Sequence, residues 1–436
     1  MKQYVFNKIN SYIENQLNTN HYSCLLFTQF YYQTFGLIFP SSEDSRWKTI
    51  LKKVIFYVHY FLFSLVSFST ILNLLFITSK DYKVFYLQYF IAIYCFTIYI
   101  DYNVYLLIYD KRKHLLADIA HNFITSNRNV SRACLRSEVW FSLVSSVLLL
   151  SSYVMFMVQP FLIQTVSKEE EMVYNRTNPT RRYSVEFLAP FDYSVTPYYE
   201  LGFLLVLYTG INIQVITFET VTTLPILTLH IKGQLDIISS YLRTIGNDSI
   251  TLVDIKRGSL IYLHCDNEEA PSLRAACTKH LLTQIIRHHQ YVIRIIAQFS
   301  RIHQVVFGLR IFLCTTLLLG VLCQYAFTNN THILFVITNA VTVLQLNFFF
   351  NSGSEIIHTG YQNIHNSLYQ NQWYTFISGR AHNRDVGQLA SIMFSLTNAK
   401  NDQYLTFWQF HRIGYVNFVH CLKATYSVFL ILFKLS

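Results

Sequence analysis

Seven stretches of this chain are longer and more apolar than a water-soluble core requires: residues 54–78, 84–109, 139–166, 199–225, 303–327, 333–350 and 408–433. A helix crosses a hydrocarbon layer about 30 Å thick in about 20 residues. Lipid offers the backbone no hydrogen-bond partner, so spanning segments are helices or the strands of a closed barrel. These runs are roughly twice as long as a barrel strand. The chain is therefore expected to be an all-α membrane protein with seven transmembrane helices. Composition agrees: 13% of the 436 residues are charged, against about 25% in soluble domains.

Lys and Arg set the threading, because cytoplasmic flanks hold the excess of positive charge. Twenty-four of them precede the first segment or lie between segments 2 and 3, 4 and 5, and 6 and 7, against seven on the other side. The N-terminus is thus expected in the cytoplasm and the C-terminus outside. The net charge of +10 then serves orientation, and no nucleic-acid surface is expected. The first twenty residues lack a continuous apolar run, so no cleavable signal peptide is expected. The resulting division is a cytoplasmic segment 1–53, helices 1 to 4 over 54–225, and a cytoplasmic helical region 226–302. Helices 5 and 6 follow over 303–350, then a cytoplasmic loop and helix 351–407, then helix 7 over 408–436. A seven-helix receptor coupled to G proteins would thread the other way, and neither a DRY-like end to helix 3 nor an NPxxY in helix 7 is present.

Two connections carry more than a turn. The outer loop 167–198 has an acidic run (Glu169, Glu170, Glu171) and the sequon Asn175-Arg176-Thr177, expected to be glycosylated on the lumenal side. The region 226–302 is too long for a bare connection. Ile231, Leu235, Ile238 and Leu242 share one helical face, and Leu282, Ile286, Ile293 and Ile296 share another. This pattern predicts two amphipathic helices below the membrane, an anchor region expected to serve assembly between subunits, with packing within the subunit as the alternative.

Asp101, Glu219 and Arg310 fall inside the helices, toward their cytoplasmic ends. Intramembrane charges pair or meet water, so Asp101 and Arg310, at compatible depth, are expected to form a structural pair. The outer halves of helices 2, 3 and 4 differ. They carry Tyr86, Tyr89, Phe90, Ile93 and Tyr94; Ser152, Phe156 and Gln159; and Leu207, Tyr208 and Ile211. Aromatic and aliphatic walls with few polar groups suit a small apolar ligand held by burial and shape.

Enzyme signatures are missing: there is no HExxH, GxSxG, P-loop or GxGxxG. The eight cysteines are scattered without metal spacing, and His264, Cys265, Cys277 and His280 fit no zinc pattern. No catalytic residue, metal or cofactor is expected.

In the last segment Asn417, His420, Lys423 and Ser427 recur at steps of three, three and four, on one helical face. A lysine at mid-membrane costs about 2.5–3.5 kcal/mol, so this stripe faces protein or water. An apolar run, Val428 to Phe433, follows it.

The motifs of the C-terminal third are Gly353-Ser354-Glu355, Ser367-Leu368-Tyr369 and Trp373-Tyr374, then Thr425-Tyr426, five mostly apolar residues and Leu432-Phe433. With seven helices and an inside N-terminus, this order resembles the insect odorant receptors of the insect chemoreceptor superfamily. Pro190-Phe191-Asp192-Tyr193-Ser194 and Pro197-Tyr198-Tyr199-Glu200 look like the segment many hymenopteran odorant receptors place before helix 4. There are departures: the Cys often found before the helix 6 Gly is absent, Ser367 replaces the usual Ala, and Leu432 stands where gustatory receptors usually have Gln. The resemblance implies an odour-binding subunit of a ligand-gated, non-selective cation channel, forming a hetero-tetramer with the olfactory co-receptor in the plasma membrane of a sensory dendrite. It also implies that a small volatile ligand binds in the outer half of the bundle. Helix 7 would then line the pore, with an apolar gate at Phe429, Leu432 and Phe433. On a regular helix Phe429 and Phe433 point away from the His420 and Lys423 stripe. Either the stripe packs on neighbouring helices or the gate lies nearer Ile431. A gustatory channel and a small-molecule transporter are the alternatives, although no internal repeat of the transporter kind is present.

Overall fold

In a computed structural model, the structure describes residues 46–124, 127–162, 168–244, 250–254, 259–263, 270–327, 333–370, 388, 391–393, 395, 405–407 and 411–435. These residues are overwhelmingly helical. α1 (Arg46–Phe76), α2 (Tyr82–Asn122) and α3 (Arg128–Leu162) are followed by the short α4 (Lys168–Tyr174). Then come α5 (Tyr198–Thr244), α6 (Ala270–Phe327), α7 (Ile333–Gln370) and α8 (Tyr415–Leu435). Five stretches are long and apolar enough to cross a membrane: Thr49–Lys80, Val84–Asn122, Arg128–Val158, Tyr198–Thr244 and Thr278–Cys323. They match the first five expected segments. The sixth and seventh fall on α7 and α8.

The helix starts follow from side chains placed to receive orphan backbone N–H groups. Asp81 Oδ1 accepts from Val84 N (3.2 Å) ahead of α2, and Asn127 Oδ1 from Val130 N (3.3 Å) ahead of α3. Hydroxyls along the helices turn inward to the carbonyl four residues back, as Ser64, Thr97, Thr209 and Thr222 do at 2.7–2.8 Å. Each such bond keeps that hydroxyl paired where no water is at hand. Along α1 the exposed residues are large and apolar, among them Leu51, Val54, Phe61, Leu65 and Leu75. Such a face suits lipid.

The expectation for 226–302 needs correction. The two predicted helices are not separate elements: the first is the end of α5 and the second the beginning of α6, each continuous with a membrane-length helix. A helix that already satisfies its own backbone gains nothing by stopping at the membrane surface, and Pro225 at the α5 boundary is carried inside the helix without ending it. Between them the described residues form an antiparallel hairpin, β1 (Ile250–Asp254) with β2 (Ser259–Leu263). Ile231, Leu235, Ile238, Leu242, Leu282, Ile286 and Ile296 are all buried within this chain. These faces pack within the subunit, with Ile293 half-buried, and not as the expected assembly interface.

Two other boundaries differ. Helix 6 does not end near Phe350 but continues to Gln370, so the Gly353 and Ser367 motifs are helical and lie on the α5–α7 seam. The last helix begins at Tyr415, not Trp408; before it Thr406–Phe407 (β3) pairs with His411–Arg412 (β4). Trp373 and Tyr374 lie outside the described residues. Ser367, where the family usually has Ala, donates to the Asn363 carbonyl (2.8 Å) and accepts from Arg243 Nε (3.1 Å), with Ser239 Oγ 2.6 Å away.

The bundle has two apolar cores. One, around Phe63, Ile98, Tyr102, Ile216 and Leu317, lies toward the 168–197 connection. The other, around Ile119, Ile231, Leu235, Ile285, Ile295, Ile357 and Ile364, fills the opposite end. Between them on α2, α5 and α6 sit the charges. Arg310 Nη2 is 2.9 Å from Asp101 Oδ2, as the sequence suggested. Glu219 pairs with Arg112, which also donates to Thr223 Oγ1 (3.1 Å). Arg112 is thus a buried helix residue and not an orientation charge in a loop.

Candidate functional site

Three helices and one loop residue enclose an apolar cavity of about 60 Å³. α2 contributes Phe90, Ile91, Tyr94 and Cys95; α3 contributes Ser152, Tyr153, Phe156 and Met157; α5 contributes Val206, Gly210, Ile213 and Gln214; the connection contributes Val185. On each helix the spacing repeats at one, three or four residues, which is one face of a helix turned inward.

Two tyrosines shape the wall because their hydroxyls are engaged elsewhere. Tyr94 Oη lies 2.9 Å from Thr217 Oγ1, and its ring stacks on Phe90 with centroids 6.2 Å apart. Tyr153 donates to the Leu207 carbonyl at 2.9 Å. Its ring lies over Gly210, where an added Cβ would come within 2.7 Å of Tyr153 Cε2. Glycine is required there because the ring occupies the side-chain space.

Of the residues expected to face a ligand, Phe90, Tyr94, Ser152 and Phe156 line the cavity. The other described ones do not. Ile93 and Leu207 pack partly buried into the adjoining core. Tyr89 covers Gly320 on α6. Tyr86 is half-buried one turn further out on α2, and Ile211 is exposed. Tyr208 turns to α1, its hydroxyl 2.9 Å from His59 Nδ1. The side chain of Gln159 lies outside the described ones. On α5 the expected face is rotated by about one residue from the observed Val206, Gly210, Ile213, Gln214 face. A glycine in an otherwise bulky helix was the available signal.

The connection from 168 to 197 is a built layer over this cavity. Arg176 and Glu186 approach to 2.8 Å with both side chains buried, and the guanidinium lies 4.3 Å from the Tyr174 ring centroid. Tyr193 donates to Glu186 Oε2 at 2.5 Å. Tyr183 stacks nearly parallel on Phe187 (5.4 Å, 10°) and Tyr199 (5.4 Å, 7°). Asn73 of α1 donates to Tyr174 Oη (3.1 Å) and to the Glu186 carbonyl (3.3 Å), fastening the layer to the bundle. Val185 is held over the cavity by this framework, and a loop position of this kind carries no periodic signal.

Burial pushes the Glu186 carboxyl up from its ordinary value, while Arg176 and Tyr193 draw it back. The Asp192 carboxyl moves the other way. It accepts from the Thr177 hydroxyl and N–H (3.0 Å) and from Ser194 Oγ (2.7 Å) and N–H (2.8 Å), which hold it below 3.8. A depressed carboxylate contributes stability above its ordinary value and loses it as pH falls through the lower folded value. The Thr177–Ser194 fastening is therefore expected to persist from neutral pH down to about 4 and to fail in stronger acid. Cleavage of this layer by an acid-active protease should rise over that range. Asp192→Ala should be cleaved at every pH at which the protease works. Equal resistance of the two proteins would rule the fastening out.

A second, smaller cavity of about 20 Å³ lies among the buried charges, lined by Asp101, Arg112, Glu219, His303 and Arg310. On α8, His420, Lys423 and Ser427 are exposed, so the polar stripe is not packed against the rest of this chain. Phe429 is half-buried there; the side chains of Leu432 and Phe433 lie outside the described ones.

A family model described as 7tm Odorant receptor matches residues 109–426. Among solved structures the chain is similar to the insect olfactory receptor OR5 from Machilis hrabei, with a TM-score of 0.67 at 12% identity over 94% of this chain and 97% of that one. It is also similar to the same receptor in complex with eugenol, with a TM-score of 0.67 at 10% identity over 99% of this chain and 100% of that one. At such identities the likeness is one of fold. No curated protein sequence matches the chain.

Proposed function

Because this chain belongs to the seven-transmembrane odorant receptor family, we propose that it is an odour-binding subunit that takes a small, largely apolar molecule into the α2–α3–α5 cavity. The observation that carries this reading is the cavity itself: enclosed by aromatic and aliphatic side chains, capped by a fastened layer, with few polar atoms. Sites of that kind bind by burial and shape. The chain threads seven times, N-terminus in the cytoplasm, and works in the plasma membrane as a hetero-tetramer with the olfactory co-receptor. Binding favours the open channel through higher affinity for that state. α8 lines the cation pore, with Phe429, Leu432 and Phe433 near its gate. The exposure of Lys423 supports this reading, since a lysine on a lipid-facing surface is disfavoured.

The test is co-expression with the co-receptor in oocytes, under an odour panel that includes eugenol, the ligand of the structural neighbour. Val206→Trp, which fills the cavity from α5, should weaken responses at least about tenfold, the equivalent of about 1.4 kcal/mol, with surface level unchanged. Responses untouched by Val206→Trp would place the ligand elsewhere. Asn175, exposed at the end of α4 with φ 45°, carries the glycan in this reading. Asn175→Gln should migrate like enzymatically deglycosylated protein, and an unshifted band would remove the assignment.

A further inference from the structure

One polar group in the cavity wall has nothing to bind. Gln214 Oε1 is fully buried and has no hydrogen-bond partner among the described residues. The two tyrosine hydroxyls of the wall are engaged, Tyr94 with Thr217 and Tyr153 with the Leu207 carbonyl, and the Ser152 hydroxyl, also in the wall, does not bond Gln214 Oε1. Phe90, Met157 and Val206 offer no donor. A buried carbonyl left unpaired is unfavourable, and the asymmetry is large: the group loses its water and gains nothing in return. α5 carries this residue on the same face as Val206 and Gly210, so its amide is directed to the interior by the helix and not by a mobile loop.

We propose that Gln214 makes the cavity selective for a small apolar molecule bearing one hydroxyl, which donates to Gln214 Oε1. The inference rests on the reading of this cavity as the ligand site. An alcohol or phenol satisfies Gln214 Oε1; a hydrocarbon of the same outline leaves it unpaired. An ether or ketone, which has no donor, can meet only the amide Nε2–H and leaves Oε1 unpaired as well. Sites built to pair a ligand hydroxyl discriminate strongly against the analogue lacking it, because the protein's own group is then orphaned.

The experiment uses the full chain co-expressed with the co-receptor and two trios of matched outline: 4-ethylphenol, 4-methylanisole and 4-ethyltoluene; 1-heptanol, 1-methoxyhexane and octane. Wild type should respond to the hydroxyl member at concentrations about tenfold lower than to its partners. Gln214→Leu, close in size, should erase that preference while retaining or improving the hydrocarbon response, which also shows the variant is folded. Equal responses across each trio, a preference for the ether, or no response to any member overturns the hydroxyl assignment. So does a preference that survives in Gln214→Leu. The Val206→Trp variant separates the two levels. If the trios are discriminated but Val206→Trp leaves every response unchanged, the cavity reading fails and takes this inference with it. If Val206→Trp blocks responses that ignore the hydroxyl, the cavity stands and the role of Gln214 falls.

Discussion

Arg310→Met is expected to destabilise the protein by about 3–5 kcal/mol, the usual result of removing one partner from a buried ion pair. The two side chains are 2% and 0% exposed, so Asp101 would stay buried with neither water nor a guanidinium beside it. The loss should appear as a large drop in the melting temperature of detergent-solubilised protein and in the amount reaching the cell surface. Stability of folded domains totals about 5–15 kcal/mol, so such a change removes a sizeable fraction. The double variant Asp101→Asn with Arg310→Met leaves no unpaired charge and should recover most of it, because neutral replacement of a buried pair is often tolerated. A single variant that melts with wild type would show that Asp101 is already neutral or solvated, and the pair would then have no structural weight.

Gly360→Val should be the next most damaging change. On the α5–α7 seam a Cβ at Gly360 would lie 2.8 Å from Leu235 Cδ1 and 3.2 Å from Leu235 Cβ. Leu235 is fully buried, and its Cβ moves only with the α5 backbone. Overpacking of this kind costs about 1–3 kcal/mol. Gly353, seven residues earlier on the same face, meets Leu224 Cγ at 3.0 Å in the same sense, so the two helices are in close contact along two turns. Leu235→Ala vacates the space and should restore part of the melting temperature lost in Gly360→Val. Two independent losses that add would instead show that Gly360 does not meet Leu235.

The features legible in the sequence were those written as period and charge. Apolar length located the five described spans, and depth alone matched Asp101 to Arg310. The family resemblance, read from motifs such as Gly353 and Thr425-Tyr426, is borne out by the match over 109–426. What was not legible has physical reasons. Arg112 sits beside Lys111 and Lys113, so its pattern is that of a loop charge; burial against Glu219 depends on the rotation of α2, which composition does not encode. Tyr208 looks as suitable for a ligand as Tyr94, but one hydroxyl finds His59 on α1 and the other finds Thr217 across the bundle. In the loop layer the sequence shows an acidic run and a sequon, and nothing that announces burial. Yet Glu170 and Glu186 are buried against Arg182 and Arg176, because aromatic stacking around Tyr183 supplies a core that no periodicity announces.

α5 runs unbroken for 47 residues from Tyr198 to Thr244, about 70 Å at 1.5 Å per residue. Its first turns hold Gly210 and Gln214, and its last hold Leu235 and Leu242. Such a shaft is a lever: pivoting by about 5° at Pro225, about 28 Å from the Thr244 tip, would swing that tip by roughly 2–3 Å. Pro225 lies between the two ends, where the missing N–H removes one rung of the ladder and supplies a softer joint. A movement at Gln214 would arrive enlarged at the opposite extremity, and the stiffness of one joint would set how much of it arrives.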